Sequence, residues 1–398
     1  MINRILWDEL IKYQDEKMAL VITGPRRVGK TTTLKWLLDQ TKSTNKLFFD
    51  LENLADRAVF ETADYNDVIK VLQARGLDPT RKVYLAIDEI QFLPSVTSVI
   101  KYLYDHYDIK FYLSGSSSYY LKNHFSESMS GRKFIFELLP LSFQEYLDFR
   151  GVKYHLPAWD PSAAPSFPSA VYAELSAEYD DYIEYGGFPE VVLADDNNVR
   201  RRLLTEIYST YINQDALSMS DFKSTTELRK IVSLLAVRIG NRVNISELSD
   251  VTGLSRETVS NYVEFLEQTY LVRSVPVIST SESVRIRNLK KVYFVDNGIA
   301  SLNAELSSGQ KFENAVAAQL VRYGGLSYYD NNKQAIDFIL KTADSLLVAI
   351  EAKETPTETD QKSLSFVASS KLKVDHFALV GRQKTAKFDG YTWGGSLG

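Results

Sequence analysis

The apolar run Ala19-Leu-Val-Ile-Thr23 leads directly into Gly24-Pro25-Arg26-Arg27-Val28-Gly29-Lys30-Thr31-Thr32. Glycines bracketing four residues and closed by Lys-Thr let a loop wrap an anion, with its backbone N–H groups pointing inward. Lys30 can then reach the β- and γ-phosphates of a nucleotide, and the Thr31 hydroxyl can ligate Mg²⁺. Thr31 to Gln40 reads as the helix whose N-terminus faces the phosphates. Further apolar runs at Leu47–Phe49, Val83–Ile87 and Phe111–Leu113 alternate with helical stretches. This alternation predicts a parallel α/β sheet over residues 1–150.

Val83-Tyr-Leu-Ala-Ile87 ends in Asp88-Glu89. A buried strand that delivers two carboxylates at its tip suits a nucleotide site. Asp88 would hold the Mg²⁺ shell and Glu89 would activate the attacking water. Lys110-Phe-Tyr-Leu113 runs into Ser114-Gly-Ser-Ser-Ser118, where Ser114 or Ser116 could sense the γ-phosphate or simply form a turn. These serines are not a hydrolase nucleophile, because no Gly-x-Ser-x-Gly elbow is present.

Composition narrows the chemistry further. The chain has 398 residues, a net charge of −5, no cysteine and four histidines, at 106, 124, 155 and 376. Disulfides, thiolate metal sites and thiol catalysis are thereby excluded, and the histidines have no metal-ligand spacing. The length suits two or three domains. Ile2, Ile5, Leu6, Leu10 and Tyr13 fall at helical spacing within an acid-bearing N-terminal stretch, which does not read as a secretory signal. No uncharged apolar run approaches the ~18 residues of a membrane span, so a cytoplasmic chain without a membrane partner is expected.

Four of the eleven prolines, Pro157, Pro161, Pro165 and Pro168, mark 151–170 as a linker loop. Residues 171–222 read as helical. Residues 226–238 and 245–252 then form two helices, and Ser255 caps a third running to about 269. Strands follow near 271–275 and at 284–286 or 292–295. This is the outline of a winged helix-turn-helix over 223–295, with Arg256, Thr258, Ser260 and Asn261 near the start of the recognition helix. Between 225 and 291 ten basic residues face seven acidic ones. Arg285, Arg287, Lys290 and Lys291 form the densest basic patch, suited to DNA phosphates. Protein–protein contact is the competing use of such a module.

Gly24-Pro-Arg-Arg-Val-Gly-Lys-Thr-Thr32, Ala86-Ile-Asp-Glu-Ile-Gln91, Ser114-Gly-Ser-Ser117, Ser130-Gly-Arg132 and Leu139-Pro-Leu-Ser-Phe143 occur in that order. Tyr185-Gly-Gly-Phe-Pro-Glu190, Tyr293-Phe-Val-Asp-Asn-Gly298 and Phe312-Glu-Asn314 follow. The set resembles archaeal and bacterial ATPases of the AAA+ superfamily that carry a C-terminal DUF4143 domain. The resemblance implies a P-loop NTPase core that takes ATP or ADP with Mg²⁺ through Lys30, Thr31, Asp88 and Glu89. It also implies a sensor at Ser114 or Ser116 and a homo-oligomer. Arg132 would stabilise charge in its own subunit or a neighbour, or form a local salt bridge.

The segment 308–398 reads helix, three strands, helix, strand. If the hairpin between Ala335–Lys341 and Leu346–Ala352 pivots on Asp344, Asp337 and Glu351 face one another, with Cβ atoms about 5 Å apart. Two such carboxylates can share one Mg²⁺, and Lys353 lies on the same strand face as Glu351. The order with Asp337 and Glu351-Ala-Lys353 resembles the PD-(D/E)xK nuclease superfamily. That likeness implies Asp337 and Glu351 as metal ligands, Lys353 as the catalytic lysine and Glu313 as an accessory acid. Two functions follow: an Mg-dependent ATPase that binds or processes DNA, or a nucleotide-controlled binding switch whose nuclease-like domain is inert.

Overall fold

The computed structural model describes residues 2–115, 129–163, 167–215, 225–278, 290–331, 333–385 and 387–398. The chain divides into two units. One comprises residues 1–139 with 268–270, and the other 140–267 with 271–398.

In the first unit, α1 (Ile5–Leu10) precedes β1 (Ala19–Thr23), α2 (Lys30–Gln40), β2 (Lys46–Asp50), α3 (Leu54–Phe60) and α4 (Asn66–Ala74). β3 (Val83–Asp88), α5 (Val96–His106), β4 (Ile109–Gly115) and β5 (Lys133–Glu137) complete it. The strands form one sheet in the order β2-β3-β4-β1-β5, every neighbouring pair parallel. Phe49, Phe60, Val68, Leu85, Ile100 and Phe111 belong to its buried core. Because all strands run the same way, the ends of β1, β3 and β4 share one sheet edge, where ligands of open α/β sheets bind.

The N-terminal helix is shorter than its apolar spacing predicts, and only part of the aliphatic stripe is buried. Ile2 and Ile5 are exposed, whereas Trp7 and Leu10 pack inward. Trp7 stacks on Trp36 of α2 at 4.5 Å and donates its indole N–H to Thr33 Oγ1. Indole stacking together with a satisfied N–H outweighs the aliphatic stripe.

In the second unit, α6 (Phe143–Arg150), α7 (Ser169–Tyr185), α8 (Pro189–Val192) and α9 (Asn197–Thr210) precede α10 (Thr225–Ala236). Then come β6 (Arg242–Val243), α11 (Ile245–Thr252), α12 (Arg256–Gln268), β7 (Val272–Pro276) and β8 (Lys290–Phe294). The three strands make an antiparallel sheet, β6-β8-β7. After α13 (Asn297–Asn303) and α14 (Ser308–Leu320) come β9 (Gly324–Asp330), β10 (Ala335–Thr342), β11 (Leu347–Lys353), α15 (Glu358–Val367), β12 (His376–Gly381) and β13 (Thr392–Trp393). These strands form a sheet in the order β13-β12-β11-β10-β9, antiparallel at β9-β10-β11 and parallel at β11-β12-β13. Among the described residues, no helix is long and apolar enough to cross a membrane.

One buried polar node joins three of the sequence motifs. Asp296 caps α13 by accepting the Ile299 N–H and also accepts the Gly187 N–H at 2.7 Å. Asn297 donates to the carbonyls of Ile183 and Lys311, and Asn314 donates to Asn297 Oδ1 and the Phe294 carbonyl. Gly186 has φ of 78°, and a Cβ there would stand 2.2 Å from an Asp296 carboxylate oxygen. Glycine is therefore required by both conformation and space.

Burial raises the Asp296 pKa from the ordinary 3.8 to about 6, against its backbone hydrogen bonds. A carboxyl raised on folding contributes stability fully below its unfolded pKa, and loses that contribution as pH rises through the folded value. Unfolding stability should therefore decline by about 2 kcal/mol between pH 4 and 6 on this account. Urea titrations of Asp296→Asn should show that slope flattened.

Candidate functional site

The turn out of β1 is set by Gly24, whose φ is 145° and whose missing side chain leaves room for the Leu138 carbonyl, 2.1 Å from where a Cβ would stand. The Leu138 N–H donates to the Thr23 carbonyl at 2.7 Å, so the strand that ends in β5 clamps the start of the loop. Arg27 and Gly29 also take positive φ, and α2 begins at Lys30. Lys30 is buried and its ammonium bonds the carbonyls of Gly24 and Pro25 at 3.1 and 2.8 Å. Pro25 and Val28 are buried and Arg26 partly so, whereas Arg27 and Thr32 are exposed. Arg4, absent from the sequence reading, braces the loop. Its guanidinium donates to the Val28 and Leu139 carbonyls, both at 2.7 Å. No local pattern marks it, because its partners lie 24 and 135 residues away.

Beside the loop, Thr31 Oγ1 donates to Asp88 Oδ2 at 2.5 Å, and Ser114 donates to the other Asp88 oxygen. Burial pushes the Asp88 carboxyl above its usual range, while the two hydroxyl hydrogen bonds oppose the shift. Ser114 also accepts the Glu89 N–H at 3.2 Å, so this serine positions both acids. Glu89 sits in a left-handed conformation (φ 52°, ψ 48°), and the Gln91 amide donates to its carboxylate. Gln91 stood in a quoted motif but carried no role, since sequence gives no sign of which way its amide turns. Thr23 Oγ1 lies 3.0 Å from the Tyr270 hydroxyl, another partner far off in sequence. Ser116 lies outside the described residues.

Arg132 corrects an expectation for its own chain. It precedes β5, whose Lys133 is in register with Ala19 at the beginning of β1. Five residues at strand rise put Arg132 roughly 16 Å from the level of Thr23, at the opposite sheet edge from the phosphate loop. There it forms a two-pronged salt bridge to Asp105, at 2.8 and 3.2 Å.

On α12, Arg256, Ser260 and Asn261 are exposed, and Thr258 is partly buried with its N–H capped by Ser255. Lys290 approaches Glu267 at 3.9 Å. Lys291 was expected in an open basic patch. It is instead buried, in the middle strand of its sheet. Arg285 and Arg287 lie outside the described residues.

The second acidic cluster assembles around β10 and β11. The ladder pairs Phe338 with Ile350, which brings Asp337 opposite Glu351. The Asp337 N–H donates to Glu351 Oε2 at 3.3 Å, and the Ala352 N–H donates to Asp337 Oδ2 at 3.2 Å. Asp337 lies within an irregularity of the β9–β10 register between Ile336 and Ile339. Lys353 pairs with Glu351 at 2.7 Å, and Tyr293 donates to Glu313 at 2.7 Å. Lys291 places its ammonium 3.5 Å from Glu313 and 3.4 Å from Asp337. Burial pushes the carboxyls of Glu313 and Glu351 up, the latter to about 7. Burial opposes charge on Lys291, yet Asp337 and Glu313 prevail and its pKa lies above the ordinary lysine value. The expected metal ligands Glu313, Asp337 and Glu351 are thus gathered around a lysine. Among the described residues, no group of three acidic or histidine side chains is arranged to hold a metal ion.

Residues 16–147 match a family model described as an AAA domain, and residues 176–310 match a domain of unknown function (DUF8612). The first match identifies the nucleotide-site region as an AAA-type P-loop ATPase domain. An uncharacterised protein of Haemophilus influenzae is 27% identical over 369 residues, covering 88% of this chain and 87% of its own. An uncharacterised protein of Methanocaldococcus jannaschii is 26% identical over 374 residues, covering 90% and 80%. Among solved structures, the Walker-type ATPase of Pyrococcus abyssi aligns with a TM-score of 0.48 at 15% identity, covering 76% of this chain and 96% of its own. The ORC1 protein of Aeropyrum pernix in complex with DNA aligns with a TM-score of 0.32 at 13% identity, covering 80% and 94%.

Arg4→Ala removes two charged donors from carbonyls that shape the phosphate loop. It should cost about 3 kcal/mol in urea unfolding and weaken binding of a fluorescent ATP analogue about tenfold, through a loop less often in its binding shape.

Proposed function

We propose that the protein is an Mg-dependent ATPase that couples its nucleotide state to DNA binding through a winged helix at 223–295, with a nuclease-like C-terminal domain that does not cut. The observation that carries the ATPase reading is the meeting of Thr31, Asp88, Glu89 and Lys30 at one sheet edge, with Thr31 Oγ1 and Asp88 Oδ2 2.5 Å apart.

The residues fit Mg²⁺, since the hydroxyl of Thr31 and the carboxylate of Asp88 are hard oxygen donors. When bound, Mg²⁺ neutralises charge on the phosphates. Thr31 and Asp88 would hold it, and Lys30 would move from the loop carbonyls to the β- and γ-phosphates. The N–H groups at the start of α2 would fix the phosphate oxygens. Glu89 would take the proton of the attacking water, its backbone held by Ser114 and its carboxylate oriented by Gln91.

The order α10, β6, α11, α12, β7, β8 supports the winged-helix reading. With Lys291 buried, DNA contact would fall to Arg256, Ser260 and Asn261 on α12, to Lys290, and to Arg285 and Arg287. A role for Arg132 at a nucleotide belongs to a homo-oligomer, in which it would serve a neighbouring copy. The enclosure of Lys291 among the C-terminal acids favours a nuclease-like domain without activity. Its likeness to DUF4143 rests on the motifs quoted above.

Steady-state ATP turnover with and without duplex DNA tests the proposal. Glu89→Gln should bind ATP yet turn over about 100-fold more slowly, Lys30→Ala should lose ATP binding, and DNA should raise wild-type turnover. Wild-type turnover no faster than that of Glu89→Gln would remove the ATPase reading, and turnover indifferent to DNA would remove the coupling. In the same tubes DNA should remain intact in Mg²⁺. Cutting that disappears in Lys353→Ala would show the C-terminal domain to be active.

A further inference from the structure

A carboxylate cluster that serves a metal leaves oxygen atoms open to it. At Asp337 and Glu351 protein donors take up both oxygens, Lys291 and the Ala352 N–H at Asp337, Lys353 and the Asp337 N–H at Glu351, while Tyr293 and Lys291 share Oε1 of Glu313. Lys291 comes from outside the sheet that carries the two central acids. It stands in the middle strand of β6-β8-β7, between Arg242 and Val275. Its ammonium reaches Glu313 on α14 and Asp337 on β10, and lies 5.4 Å from the centre of the Tyr328 ring on β9. Only 7% of the residue is exposed.

Lys291 also lines a neighbouring cleft. A cleft of about 660 Å³ opens beside the cluster, lined by Arg242, Lys291, Asp330 and Lys333 among others, but by none of the three acids. On its wall Arg242 is bound to Asp330 at 2.6 Å.

We propose that Lys291 is the built-in cation of the cluster. It holds the place a divalent ion would take between Glu313 and Asp337, and thereby closes the nuclease-like site to metal while fastening β8 to the C-terminal sheet. The proposal rests on reading this domain as a nuclease-like fold that does not cut, and it adds the cause. A buried ion pair stripped of one member leaves the other charge uncompensated. Removal of Lys291 should therefore destabilise the second unit and create an affinity for divalent ions at the acids it abandons.

The test is Mn²⁺ binding, followed by electron paramagnetic resonance on the nucleotide-free full chain, with thermal unfolding alongside. Wild type and Asp337→Asn should bind Mn²⁺ equally, because the cluster holds none. Lys291→Met should unfold on the order of 5 °C lower, bind one more Mn²⁺ per chain than wild type, and recover its melting temperature in Mn²⁺. Lys291→Met with Asp337→Asn should lose both gains. A wild-type ion that is lost in Asp337→Asn would overturn the proposal, as would a folded Lys291→Met that binds no extra ion. Should Lys291→Met fail to fold, the wild-type pair decides, and equal binding sustains the proposal. Nuclease assays on the same preparations separate this result from the non-cutting reading, since an enzyme that cuts without an ion at Asp337 would defeat only the latter.

Discussion

A charged or amide group taken out of water must find its partners inside the protein, and the elements that supply them lose their freedom to move apart. In the second unit this constraint centres on Asp296, Asn297 and Asn314, which bind α7, α13, α14 and the end of β8 into one arrangement. Lys110 does the same in the first unit. Its buried ammonium gathers the carbonyls of Tyr13, Glu16 and Met18, and burial lowers its pKa to about 8. Apolar contacts fill these cores, but the polar nodes determine which segments must meet.

This division explains which features could be read from sequence. The phosphate loop is local: its glycines, lysine and threonine lie within eight residues of one another, so spacing alone conveys the chemistry. The β10–β11 hairpin is nearly as local, and period-two geometry brings Asp337 opposite Glu351 once the turn is centred on Asp344. The motifs around Gly186, Asp296 and Asn314 were visible as patterns, yet their physical task was not. The bonds that join them run between residues 14 to 114 positions apart.

Misreadings arose where direction, not residue type, decides the role. Lys291 belongs to a basic patch in sequence, but β8 is the middle strand of its sheet and is buried on both faces from Lys291 to Phe294. For Arg132 the family resemblance implies a nucleotide role or a local salt bridge, and parallel registration, which places it at the far sheet edge beside Asp105, selects the salt bridge within its own chain. In α1 the aliphatic stripe is buried only at Leu10, and Trp7, outside that stripe, is drawn inward by its stacking on Trp36. A single segment does not encode its orientation until the partner surface is known.

The two acidic sites show that carboxylate identity does not specify metal chemistry. Asp88 is held by the hydroxyls of Thr31 and Ser114, neutral donors that leave its charge to be met by something else. A threonine hydroxyl can also turn from proton donor to metal ligand without leaving its place. Glu313 and Asp337 are held by an ammonium, and Glu351 by another. Two ammonium groups already answer most of the charge of these three acids, so a cation arriving between Glu313 and Asp337 must first displace Lys291, where burial makes unpaired charge costly. Similar acids therefore have opposite dispositions: one set invites a cation, and the other has enclosed one of the chain's own.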